Sequence, residues 1–240
     1  MAQHISRKEL KTDEVRDKLV QGADLIFGHQ AMAIYIVIAA VVVALGFFGW
    51  KTYAERQTVK AAAAYDDANK VFDARIRSPL EPQQPGELTF TDEKNKFSES
   101  ARKFEDVAKK YPRTRPGQLA SYYEAINQER LGNNDAAKKL LQNLADSGDD
   151  EFAAMARFEL AQLDDRQGQG DEAVNLYKKL IAKPTVLVPK PVVMMALAGH
   201  YSASNPAEAS KLYAQIKSEN PDTPIAEQAD QELSLLPGKI

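Results

Sequence analysis

Residues 149–184 read "DDEFAAMARFELAQLDDRQGQGDEAVNLYKKLIAKP". Phe152, Met155, Phe158, Leu160, Ala161 and Leu163 form one apolar stripe at helical spacing. Gly168 and Gly170 interrupt it. Ala173, Leu176, Tyr177, Leu180 and Ile181 form a second stripe, and Pro184 stops it. The stretch is a helix, a turn and a second helix.

The same unit recurs along the chain. Ala101, Ala137, Ala173 and Ala209 are spaced 36 apart, as are Ala108, Leu144, Leu180 and Ile216. Leu141, Tyr177 and Tyr213 keep step, and so do Tyr122, Phe158 and Met194. Ala125, Ala161, Leu197 and Leu233 make a fifth column, and Gly132, Gly168 and Ser204 fall together before the second helix. Apolar columns sharing one phase are a repeat, not a coincidence. A single helical hairpin cannot bury its apolar face alone, so the copies must stack into an α-solenoid. The small Ala at each step suits close approach of the paired helices.

Outward from the repeats, residues 57–75 carry Ala61, Ala64, Tyr65, Ala68, Val71 and Phe72 at helical spacing. They supply the first helix of the first copy. Pro79, Pro82 and Pro85 mark a loop after it. At the other end Ile225, Ala226, Ala229 and Leu233 form a last helix over 223–236, suited to cap the stack.

Residues 31–50 stand apart. "AMAIYIVIAAVVVALGFFGW" holds no charge, in a chain whose mean hydropathy is −0.44. Twenty helical residues span about 30 Å, the thickness of a bilayer's hydrocarbon core. Tyr35 near one end and Trp50 with Tyr53 near the other suit the two interfaces. A cleavable leader would have a shorter apolar core nearer the N-terminus and a small-x-small site just after it; here the first such triplet lies within 61–64. The run reads as an uncleaved transmembrane anchor. Lys11, Arg16 and Lys18 on one side face Lys51, Arg56, Lys60 and Lys70 on the other, which leaves orientation open.

The fold class expected is all-α: one transmembrane helix, about four helix-turn-helix repeats and a C-terminal capping helix. The chain divides into a polar tail (1–30), the anchor (31–50), a helix continuing from it (51–75), a Pro-containing loop (76–92) and the repeat domain (93–240). In the tail, Val15, Leu19, Ala23 and Ile26 line one helical face behind Thr12 as N-cap.

These residues resemble the tetratricopeptide repeat. That pattern places a small residue in helix A, Gly before helix B, Ala early in helix B, an aromatic four later, and a terminal Pro. Ala161, Gly168, Ala173, Tyr177 and Pro184 match it, as do Ala209, Tyr213 and Pro221 one copy on. "SARKFEDVAKKYP" (100–112) matches a helix B with its closing Tyr-Pro. The order of parts, with "AAAAYDDANKVFD" after the anchor, also resembles the bacterial ancillary SecYEG translocon subunit (YfgM-like) family. That resemblance implies an inner-membrane, single-pass protein. Its periplasmic repeats would bind translocon subunits, periplasmic chaperones or unfolded clients.

Composition and motifs point away from catalysis. There is no Cys, hence no disulfide, thiolate metal site or cysteine nucleophile. Five charges of each sign precede residue 51, leaving 26 Lys and Arg against 29 Asp and Glu with no basic patch for nucleic acid. "GQGDEA" (168–173) fits a dinucleotide fingerprint but follows a helical pattern instead of a strand. "DSGDDE" (146–151) lacks the ligand spacing of a calcium loop and reads as a turn in which Asp149 or Asp150 caps the next helix. His4, His29 and His200 have no metal spacing, and no Ser sits in a nucleophile elbow. No enzyme, cofactor or small-molecule substrate is expected.

The expected output is protein binding. Repeats of this kind present helix A to a groove. By phase the groove slots are Leu119, Tyr122, Ile126, Glu129 and Arg130, then Met155, Phe158, Gln162, Asp165 and Arg166, then Met194, Ala198 and Tyr201. Aromatics and Met rimmed by acid and Arg suit extended or partly unfolded chains. The same apolar residues could instead pack helix A on its neighbours.

Overall fold

A carboxylate opens the hairpin at 149–184. In the computed structural model, which describes residues 30–237 (the side chains of 30, 31 and 33 apart), Asp149 accepts a hydrogen bond from the Phe152 backbone N–H at 3.2 Å. It caps a helix over Asp150–Arg166. Gly168 then turns the chain at φ +77°, and a second helix runs over Gly170–Ala182. One period earlier Gly132 does the same at φ +80°. Glycine enters this left-handed region without steric cost, which is why it recurs in that slot.

Among the described residues the helices are, in chain order, α1 (Gln30–Phe72), α2 (Glu93–Lys110), α3 (Arg115–Arg130), α4 (Asn134–Ser147), α5 (Asp150–Arg166), α6 (Gly170–Ala182), α7 (Lys190–Ser204), α8 (Pro206–Glu219) and α9 (Pro224–Leu235). Side-chain oxygens of Asp92, Thr114, Asn205 and Thr223 cap α2, α3, α8 and α9. From α2 on, each helix packs against the next in sequence, as stacked hairpins require. The fold is all-α, with an N-terminal apolar helix followed by tetratricopeptide-like repeats.

The alanine ladder is the spine of the stack. Ala137, Ala173 and Ala209 are fully buried and Ala101 nearly so. The second column (Ala108, Leu144, Leu180, Ile216) and the third (Leu141, Tyr177, Tyr213) are buried throughout. Cores form between successive hairpins: one joins Ala125 and Leu141 to Phe152 and Leu163, the next joins Ala161 and Tyr177 to Val193 and Leu197. A third, around Met194, Tyr213, Ile216 and Ala229, seals the C-terminal end beneath α9.

The chain forms two compact units, one ending at Arg56 and the other beginning at Gln57. In the second unit, the part of α1 from Gln57 on supplies the partner helix of the first repeat. Ala61 and Ala68 are buried against α2 and α3. Tyr65 and Phe72 close an aromatic cluster with Phe104 and Tyr123, their ring centroids 5.2–6.3 Å apart. In the first unit, every described side chain from Met32 to Trp50 is exposed. By length and composition that helix is able to cross a membrane. The amphipathic face read at Thr12 to Ile26 lies outside the described residues.

Between α1 and α2 the Pro-containing segment is pinned, not loose. Two-residue strands β1 (Arg75–Ile76) and β2 (Thr89–Phe90) pair in parallel. Arg75 holds Glu81 through two hydrogen bonds of 2.8 and 3.1 Å and reaches Glu87 at 3.3 Å. Arg77 donates to the Glu81 carbonyl at 2.7 Å and to Thr89 Oγ1 at 3.2 Å.

Candidate functional site

Helices α3, α5 and α7 are the A helices of successive repeats, and α5 touches both α3 and α7. Their shared face carries a polar chain. The Tyr122 hydroxyl on α3 donates to Glu159 Oε2 on α5 at 3.1 Å. Arg166 on α5 donates to Glu159 Oε1 at 3.0 Å and back across to Glu129 Oε1 on α3 at 2.6 Å. The two α3–α5 links are 37 residues apart in sequence, one repeat plus one. A third link joins Asp165 Oδ1 on α5 to His200 Nδ1 on α7 at 2.7 Å.

Burial sets the electrostatics here. It pushes the Tyr122 hydroxyl up, and the Glu159 charge adds to this, so Tyr122 stays protonated and donates. Burial also raises the Glu129 carboxyl, against the pull of Arg166. Gln162, Asp165, Arg166 and His200 line one cleft between α5 and α7, floored by Tyr177.

The sequence-derived groove residues divide into three groups. Tyr122, Glu129, Gln162, Asp165 and Arg166 come together on this face. Leu119, Tyr122 and Met155 lean on the core around Leu141 and Phe152, and Phe158 and Tyr201 lean on the core around Tyr177. Phe158 meets Tyr177 edge-on at 6.1 Å. These side chains, with Ile126, are half-buried, so each serves packing and leaves part of itself open; Arg130 is exposed. Met194 and Ala198 are different: they are 2 % and 0 % exposed. They face α8 and α9, in the cluster with Tyr213 and Ile216, and are closed to a partner. Met194 and Ala198 are core residues of the stack and not part of the open groove that their phase predicts.

Two members of the face were missed by sequence reasoning. Glu159 is the hub of the polar chain. Its signals were the offset of 37 from Tyr122 and of seven, two helical turns, from Arg166. His200 shares a repeat slot with Gln128 and Asp164, which concealed its pairing with Asp165.

Other motifs take structural places. The 168–173 stretch is the turn after α5 together with the first turn of α6, so a helix and not a strand precedes it. Asp149 is a cap, and Glu151 accepts the backbone N–H groups of Leu187 and Val186 at 2.8 and 3.2 Å. Those bonds hold its carboxyl below the usual range and pin the α6–α7 loop. No group of His, Asp or Glu among the described residues is arranged to hold a metal ion.

A family model for the tetratricopeptide repeat-like domain matches residues 29–183, from just before α1 to just after α6. No curated protein and no solved structure matches the chain. With a repeat-domain model spanning well over half of its length, the chain belongs to the tetratricopeptide repeat-like domain family, whose helical repeats mediate protein–protein interaction.

Proposed function

We propose that the protein is a membrane-anchored scaffold whose A-helix face grips polypeptide near the secretion machinery. The observation that carries this is the face itself: half-open Tyr122 and Phe158 beside the Glu129–Arg166–Glu159 chain. Aromatic rings offer sequence-tolerant contact, while fixed carboxylate and guanidinium groups suit a peptide backbone. The exposed apolar helix supports anchoring, and the family match takes in that whole helix along with the repeats as far as α6. The resemblance to the ancillary translocon subunit family favours periplasmic repeats at the inner membrane, with translocon subunits, periplasmic chaperones or unfolded clients as partners. Other envelope machines, in cell division or outer-membrane export, and a cytosol-facing recruitment role are the competing assignments.

Two experiments separate them. The chain has no Cys, so a single Gln84→Cys in the exposed Pro-containing segment reports topology. Labelling of intact spheroplasts by an impermeant maleimide supports periplasmic repeats; protection until lysis reverses the orientation. Co-purification from detergent-solubilised membranes should then recover translocon subunits or periplasmic chaperones. A folded bait that recovers neither refutes the assignment to secretion.

A further inference from the structure

Beside α3, α2 and α4 flank an open cleft, and Glu124 forms part of its lining. Glu124 is only 9 % exposed, yet no hydrogen bond or ion pair meets its carboxylate among the described residues. Lys109, the cation that acts on it from the same lining, is held by Glu105. A carboxylate so far withdrawn from water, with only the open cleft left to solvate it, is costly to ionise. Such a group facing a cleft is poised for a cationic ligand.

The rest of the lining narrows the ligand. Ala108, Leu140 and Leu144 form an apolar wall, and Ser121 and Asn143 add neutral oxygens. A divalent ion wants several charged oxygen ligands, whereas here Glu105 is already paired with Lys109 and Glu124 is the one carboxylate left over beside the apolar wall. That combination matches a single positive head on an alkyl stem. We propose that this cleft binds one alkyl-ammonium or alkyl-guanidinium group, with its charge on Glu124 and its stem along Leu140 and Leu144.

Binding is linked to protons. Burial, reinforced by the Glu105 charge and opposed by Lys109, pushes Glu124 up to about 7. Glu105 and Lys109 on α2 are the charged groups that face it; α4 contributes only Leu140, Asn143, Leu144, Ser147 and the adjoining Gly148 to the lining. A cation requires the ionised carboxylate, so affinity falls about tenfold for each pH unit below the Glu124 pKa.

The test uses the full chain in zwitterionic nanodiscs with labelled Leu methyl groups, titrated with n-butylammonium and, separately, with a capped lysine. The expected result is saturable shifts of Leu140 and Leu144, weakening as pH falls. Glu124→Gln should weaken binding at least tenfold while leaving the remaining spectrum intact. The tighter of the two probes assigns the cation to a free amine or to a polypeptide side chain. Unmoved Leu140 and Leu144 signals overturn the proposal, as do equal affinities in wild type and Glu124→Gln. Because the A-helix face is not involved, client capture should survive Glu124→Gln.

Discussion

Phe104→Ala weighs whether α1 really serves as the first repeat's own helix. Phe104 is fully buried and contacts three rings: Tyr65 at 5.6 Å, Phe72 at 6.3 Å and Tyr123, stacked, at 5.3 Å. Truncating a buried Phe costs about 3–5 kcal/mol, from lost transfer energy and the cavity left behind. Ring pairs contribute about 0.5–1.5 kcal/mol each beyond area, so the upper part of that range is expected. In a stack of repeats stability is a sum of local and nearest-neighbour terms. The damage should therefore stay local. Hydrogen exchange on the full chain in detergent should show protection lost over 57–72, α2 and α3, with α7 to α9 exchanging as in wild type. Urea unfolding supplies the magnitude. A cost below about 1 kcal/mol, or equal loss of protection in α8 and α9, refutes the reasoning.

Other substitutions probe separate parts of the account. Ala173→Leu overfills a fully buried step of the ladder and should cost about 1–3 kcal/mol by urea unfolding, with no change at the exposed Ala136. Gly168→Ala forces a side chain into φ +77° and should cost about 1–2 kcal/mol in the same assay. Glu124 titrates near 7 when folded against an ordinary value of 4.5, so the folded state holds its proton more tightly. Its contribution to stability is therefore lost as pH rises from 4.5 through 7, by at most about 3 kcal/mol and by less as water in the open cleft screens the charge. Glu124→Gln should flatten that part of the stability–pH profile and be the more stable protein above pH 7; an unchanged slope contradicts it.

The repeat was legible because its signal is periodic and apolar. The columns of Ala101 and Ala108 are set by helix–helix distance, and that constraint writes itself into every copy. Capping by Asp149 was legible too, because a cap depends only on its immediate neighbours. What escaped depends on contacts of another kind. The β1–β2 pair is two residues long on each side and is held by Arg75 reaching Glu81 and Glu87, separations with no helical or strand period. Met194 keeps phase with Tyr122 and Phe158, but it is buried because α8 and α9 close over it at the end of the stack. Phase gives the direction of a side chain within a repeat; how completely the following helices cover it depends on the side chains they bring, here Tyr213, Ile216 and Ala229. Glu159 and His200 were hidden for a related reason, since each acts through a partner one repeat away.

The most direct test places a photoreactive benzoylphenylalanine at Gln162, on the A-helix face, and in a second variant at Gln142, on the exposed side of α4. Full-length protein is irradiated in native membranes and adducts are compared. A polypeptide-gripping A-helix face predicts protein adducts from residue 162 and none from 142. Adducts from 142 alone, or the same adducts from both, would contradict it.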